Sequence, residues 1–185
     1  MEEGVRWACV QIRDARLTGG RAGPHPRVVR ANASGDQVEI EAATPRDTGS
    51  VTDLAHRFFA EEGFEPPAEG LEPRIAKYLA MDGNAIFVGR RDDHMIGFAT
   101  VATGFGLEYG WVAELEDLYV VPDERRRGVA RRLVERVSQW AADRGCSAVL
   151  VTVTPEGERA HTLTAFYERL DFDDRGRRLL ERPLV

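Results

Sequence analysis

Apolar positions along the chain change period several times, and each change marks an element. Val38, Ile40 and Ala42 alternate with Glu39 and Glu41, which predicts a half-buried strand over Gln37–Ala42. Val51, Leu54, Ala55, Phe58 and Phe59 then recur at helical spacing, behind Thr44 and Asp47, either of which can cap the helix. A second helix is predicted near Leu71–Met81, after a loop where Glu61, Glu62, Glu65 and Glu69 surround Gly63, Pro66 and Pro67. Ala85–Arg90 and His94–Thr103 read as a hairpin about the turn Arg91-Asp92-Asp93. Gly104, Gly106 and Gly110 loosen the connection that follows, which carries Phe105, Glu108, Tyr109 and Trp111. Leu115, Leu118, Tyr119, Val120 and Val121 form an apolar run that ends at Pro122, because proline cannot donate to a ladder. From Val129 the apolar residues Ala130, Leu133, Val134, Val137, Trp140 and Ala141 fall on one helical face, opposite Arg131, Arg132, Glu135, Arg136 and Gln139. Ser147–Thr154 is dense enough for a strand buried on both faces. A final helix is expected from about Arg159 to Leu170, and a closing strand near Arg178–Arg182. Such alternation around a short all-β middle predicts an α/β (α+β) domain, a mixed sheet flanked by helices.

Composition narrows the class. A chain of 185 residues, 43% hydrophobic and 30% charged, has the make-up of one soluble globular domain. No apolar run reaches membrane-spanning length, and Met-Glu-Glu-Gly-Val-Arg lacks the pattern of an export signal, so a cytoplasmic location is expected. The net charge of -6 argues against nucleic acid and anionic membranes as partners and is compatible with a cationic one. Cys9 and Cys146 lie far apart in sequence and in no metal-like cluster, so neither a disulfide framework nor a metal site is expected. Residues 1–36, broken by Gly19-Gly20, Gly23-Pro24 and Pro26, read as an N-terminal extension, with a strand around Val5–Ile12, ahead of a domain over 37–185.

The stretch Glu114–Val137 runs strand, glycine turn and helix in quick succession. Its turn, Arg125-Arg126-Arg127-Gly128-Val129-Ala130, combines a glycine that admits close backbone approach with the unbonded N–H groups of a helix's first turn, which attract phosphates. This segment resembles the acetyl-CoA signature of the GCN5-related N-acetyltransferase (GNAT) superfamily, Gln/Arg-x-x-Gly-x-Gly/Ala, and the preceding Leu-Glu-Asp-Leu-Tyr-Val-Val-Pro is similar to the strand those enzymes place before it. The likeness spans residues 37–175 and is firmest over 114–172. It implies a sheet of about six to seven strands with about four helices.

An acyl-CoA ligand makes three demands on such a site. The turn from Arg125 through Arg126, Arg127, Gly128, Val129 and Ala130 to Arg131, with Arg132 beside it, can hold the pyrophosphate. The edge of Leu118, Tyr119 and Val120 can pair with the pantetheine amides, and the N–H of Leu118 or Tyr119 can stabilise the oxyanion. The acceptor amine must lose a proton, and Glu116 stands where the resemblance places the catalytic glutamate of polyamine acetyltransferases, with Glu114 as alternative. Strand alternation sets Glu114 and Glu116 on one face and Asp117 on the other, as an anchor for neighbouring backbone. Ala165–Phe172 is similar to the family's last helix, in which Tyr167 faces the sulfur and acts as general acid. Two positions depart from that pattern: Asp171 replaces a usual glycine, and Ala160 or His161 replaces an asparagine that contacts the cofactor, with His161 the substitute.

The activity expected is acetyl transfer from acetyl-CoA to a primary amine of a small cationic acceptor, by direct attack in a ternary complex. An aminoglycoside-type amino sugar, hence an antibiotic-modifying role, is the leading acceptor class, with polyamines or protein and peptide amines as alternatives and a non-enzymatic acyl-CoA sensor as the rival outside the class. Glu62, Glu65, Glu108, Tyr109, Trp111, Glu114 and Glu116 are the expected acceptor contacts. Dimers are common among look-alikes, which makes a homodimer the assembly to test.

Overall fold

The computed structural model describes residues 9–10, 38–180, 182 and 184. Its strands are β1 (Cys9–Val10), β2 (Glu39–Ala42), β3 (Asn84–Arg91), β4 (His94–Gly106), β5 (Gly110–Val120) and β6 (Val149–Thr152). Its helices are α1 (Thr48–Glu62), α2 (Leu71–Ala80), α3 (Val129–Asp143), α4 (Pro155–His161) and α5 (Leu163–Glu168). The sheet order is β1-β6-β5-β4-β3-β2; every neighbouring pair is antiparallel except β5 and β6.

Period-2 patterning in the middle strands sorts side chains onto two cores. On one face Phe87, Val101, Leu115 and Val120 meet Leu133, Val134 and Val137 of α3, joined by Tyr167 and Phe172. On the other, Ile86, Val88, Phe98 and Tyr119 meet Val51, Leu54 and Ala55 of α1 and Leu71 and Ile75 of α2. Both faces of β3, β4 and β5 are therefore covered by helices. The β3–β4 turn places Asp92 and Asp93 at φ 47° and 64°, the double left-handed geometry that suits a two-residue hairpin.

Three expectations are corrected. The single final helix is two, α4 and α5, broken at Thr162 (φ 54°), where the Glu158 carboxylate accepts from both the N–H (2.7 Å) and the hydroxyl (2.8 Å) of Thr164 and so starts the second helix. Residues 178–180 and 182 form no strand. The glycine-rich connection is not loose: β4 and β5 stay paired out to Gly106 and Gly110, and Phe105 stacks edge-on against Trp111 at 5.4 Å. The proposed extension over 1–36 lies outside the described residues apart from Cys9–Val10, which pairs with β6. Among the described residues no helix is long and apolar enough to cross a membrane.

Candidate active site

The site forms where β5 bulges against β4 and parts from β6. Toward β4, the register shifts between Thr100 and Val101: Thr100 stands opposite Asp117 and Val101 opposite Leu115, so Glu116 is the extra residue of a β-bulge. The bulge corrects the expected alternation. Asp117 shares a face with its partner Thr100, and with Phe98 and Tyr119 two positions along, which is the α1/α2 face that Glu114 also occupies. Glu116 points that way too, since its Oε2 accepts a 2.6 Å hydrogen bond from the Tyr78 hydroxyl of α2. Three carboxylates thus gather on one side of one strand.

Burial pushes all three above their ordinary range. For Glu116 desolvation dominates, the Tyr78 hydrogen bond opposes it, and the charges of Asp117 and Glu114 add to it. Desolvation likewise raises Glu114 against a hydrogen bond with Thr152, and Asp117 against one from Thr100. The Thr100 hydroxyl donates to Asp117 Oδ2 at 2.6 Å and accepts from the Asp117 N–H at 2.9 Å, so Asp117 anchors the bulge.

Toward β6, pairing stops early. Ala113, Glu114 and Leu115 match Val149, Leu150 and Val151, and beyond Leu115 β5 continues with no strand on that side among the described residues. Val121 N–H donates to the Ile96 carbonyl of β4 at 3.0 Å; by alternation Tyr119 N–H also points toward β4, while the N–H groups of Leu118 and Val120 face the open side.

The open edge leads into the turn before α3. Pro122–Glu124 forms one turn of 3-10 helix, Arg126 takes φ 63°, and Gly128, at φ 80°, is the N-cap of α3. No side chain caps that helix, and its first internal bond runs from Arg132 N–H to the Gly128 carbonyl at 3.1 Å. The N–H groups of Val129, Ala130 and Arg131 are accordingly left for an anion.

The arginines divide. Arg125 bonds Glu61 of α1 at 2.5 Å and the Val120 carbonyl at 2.8 Å, and lies over the Tyr119 ring, so it ties α1 to the turn. Arg131 pairs with Glu135 at 2.7 Å and Arg127 reaches Glu124 at 3.6 Å, both at the surface, and Arg126 and Arg132 are exposed.

The expected acceptor contacts are not brought together as one group. Glu62 pairs with His161 at 3.2 Å, which gives both side chains a use other than the expected one. Glu65 is exposed; Glu108 pairs with Arg177, which also lies over the Tyr109 ring, and Trp111 is half exposed beside Phe105. Only Glu114 and Glu116 of that set flank the gap, with Asp117 added by the bulge.

Tyr167, 4% exposed, packs edge-on against Phe166 and tilted against Phe172 on the α3 side of the sheet. Its hydroxyl has no hydrogen-bond partner among the described residues, and burial alone pushes its pKa up. Asp171 has the left-handed φ of 64° that the usual glycine there would take. Sequence reasoning missed Tyr78: spaced with Leu71 and Ile75 on one helical face, it reads as core, and only the tertiary fold shows its hydroxyl reaching Glu116.

The sequence profile of the acetyltransferase (GNAT) family matches residues 50–172. An aminoglycoside N(6')-acetyltransferase type 1 from Salmonella typhimurium is 31% identical over 97 residues, covering 49% of this chain and 67% of the relative. A glucosamine 6-phosphate N-acetyltransferase 1 from Oryza sativa subsp. japonica is 32% identical over 112 residues, 60% of this chain and 63% of the relative. Among solved structures, aminoglycoside N-acetyltransferase AAC(6')-Iy in complex with CoA superposes with a TM-score of 0.70 over 83% of this chain and 99% of that one, at 22% identity, a likeness of fold. With the profile running from within α1 through α5, over more than half of the residues, the chain belongs to the acetyltransferase (GNAT) family.

Proposed function

We propose that this chain transfers an acetyl group from acetyl-CoA to a primary amine of a small cationic acceptor, with an aminoglycoside-type amino sugar the leading class. The observation that carries the proposal is the parting of β5 from β6 beyond Leu115, which opens a slot running into the uncapped amides of α3. The residues present fit a CoA thioester: peptide amides at Val129–Arg131 for the diphosphate, an unpaired strand edge for the pantetheine amides, and an unpartnered hydroxyl at Tyr167. When bound, acetyl-CoA supplies an acetyl group already activated as a thioester.

The chain's own groups divide the work across the sheet. Glu116, on the α1/α2 face, takes the acceptor's proton; for an amine with a pKa near 10.4, neutralisation at pH 7 costs about 4–5 kcal/mol, so a nearby base matters. Its raised pKa brings it closer to that of the amine and improves the match. The Leu118 N–H, on the open edge, would be the donor available to the acetyl oxygen, in place of Tyr119, whose N–H is turned toward β4. Tyr167, on the α3 face, would be the donor to the departing sulfur. A phenol already lies above the ordinary thiol value of about 8.5 and burial raises Tyr167 further, so this hydroxyl would keep its proton and act as a hydrogen-bond donor to the thiolate. Glu114 and Asp117 add negative charge that favours a cationic acceptor over a phosphorylated sugar amine. Antibiotic modification would follow from that acceptor class.

The test is a panel of aminoglycosides, polyamines, sugar phosphates and peptides, assayed for thiol release from acetyl-CoA. Amine-dependent release is expected with the amino sugars. Glu116→Gln should lower kcat by about 10²–10⁴-fold and Tyr167→Phe by about 10²-fold, both with little change in the acetyl-CoA KM. CoA binding without release across the panel would instead mark a sensor.

A further inference from the structure

We infer that Tyr78, on α2, is the positioning residue of the base: its hydroxyl fixes the Glu116 carboxylate in place, in the ionised form, with one oxygen turned to the acceptor. The inference rests on the acetyl-transfer reading and assigns a residue that neither the glycine turn nor the strand motif contains.

The geometry is specific. A bulged residue has no cross-strand neighbour to hold its side chain, and Glu116 has nothing opposite it on β4. Tyr78 supplies the missing constraint from another layer, 2.6 Å from Oε2, which leaves Oε1 to receive a proton. Its place on α2 is held by Leu71 and Ile75, buried at 5% and 8% exposure, so the phenol arrives with few rotamers to lose.

The charged surroundings make the donor necessary. Glu116 faces Tyr78 from α2, with Thr100 of β4 close to both; along its own strand it faces Asp117 and Glu114, and Thr152 of β6 bonds Glu114. Both neighbouring carboxylates disfavour a negative Glu116, and among the described residues no cation offsets them. Tyr78 is the one group there that stabilises the charged form. The same surroundings drive its own pKa well up, so it acts as a fixed donor and does not compete for the amine's proton.

The test is the pH dependence of kcat/KM. Removing a donor to the charged form raises the pKa of Glu116, so Tyr78→Phe should move the acid limb to higher pH by about one unit. It should lower kcat on the order of ten-fold, the loss of one hydrogen bond to a charged group, and leave the acetyl-CoA KM unchanged. In a Glu116→Gln background, Tyr78→Phe should change neither kcat nor the profile. A second measurement needs no Tyr78 variant: the parent protein should show a slowly exchanging tyrosine hydroxyl proton by NMR that is lost or moved in Glu116→Gln. An unmoved acid limb, or a hydroxyl signal indifferent to Glu116→Gln, overturns the inference while acetyl transfer stands. Absence of amine-dependent thiol release from the parent protein overturns both.

Discussion

At the scale of single residues, the site is a crowd of acids made tolerable by hydroxyl donors. Thr100 serves Asp117, Tyr78 serves Glu116 and Thr152 serves Glu114, each offsetting part of a desolvation cost that would otherwise keep the carboxyls protonated. Asp117 gives the clearest pH prediction. Its folded-state pKa lies above the ordinary 3.8, so the stability present below 3.8 is lost as pH rises through the folded value. Asp117→Asn keeps an acceptor for Thr100 and removes the charge. Its melting temperature should exceed the parent's at pH 8 by on the order of 2–4 °C, and the two should converge near pH 4. The same substitution relieves repulsion on Glu116 and should lower the acid limb of kcat/KM, opposite in sign to Tyr78→Phe. Thermal melts and rate profiles across pH 4–8 check both.

At the scale of elements, the turn between β5 and α3 is where backbone conformation and ligand chemistry meet. Gly128 holds φ 80°, and a Cβ there would meet nothing within 4 Å, so the need for glycine is one of backbone strain and not of space. Gly128→Ala should therefore cost about 1–2 kcal/mol of stability and retain CoA binding. Gly128→Glu puts a carboxylate beside the amides proposed to hold a diphosphate. At about 4 Å and an effective permittivity of 20, like charges repel by about 4 kcal/mol, so CoA affinity should fall by at least about 100-fold. Calorimetric titration of both variants separates strain from charge. Equal CoA affinity in Gly128→Glu and the parent would remove the turn from the binding site. α3 itself was legible from sequence because Val129, Leu133, Val134, Val137 and Trp140 keep one stripe, and all are buried. The α4–α5 break was not legible: it depends on Glu158 folding back to Thr164, a contact that periodicity does not report.

At the scale of the whole molecule, a ligand seated where β5 and β6 part would couple binding to stability. CoA that binds only the folded chain should, at 100 times its Kd, add about 2.7 kcal/mol, or about 5–11 °C of melting temperature in a domain of this size. The shift should vanish in Gly128→Glu. Differential scanning fluorimetry reads it directly, and an unchanged parent melting point with saturating CoA would speak against the slot. The Glu61–Arg125 ion pair links α1 to the turn, and the Glu62–His161 contact links α1 to α4. From sequence alone Glu62 reads as an acceptor contact, whereas the structure gives it His161 as a partner.

Local order alone determined the α/β class and marked the turn at Gly128 as a candidate anion site, because strand and helix periods act over a few residues; Glu116 and Tyr167 became candidates through the resemblance of their segments to the family's. Tertiary structure decided what those residues face. A bulge adds one residue to β5 and so turns Asp117 onto the same side as Glu114, which reverses a strict two-residue alternation. Tyr78 and Glu116 are 38 positions apart and meet only because α2 packs across the sheet. Register and packing are set by contacts distant in sequence, so no reading of neighbours along the chain contains them.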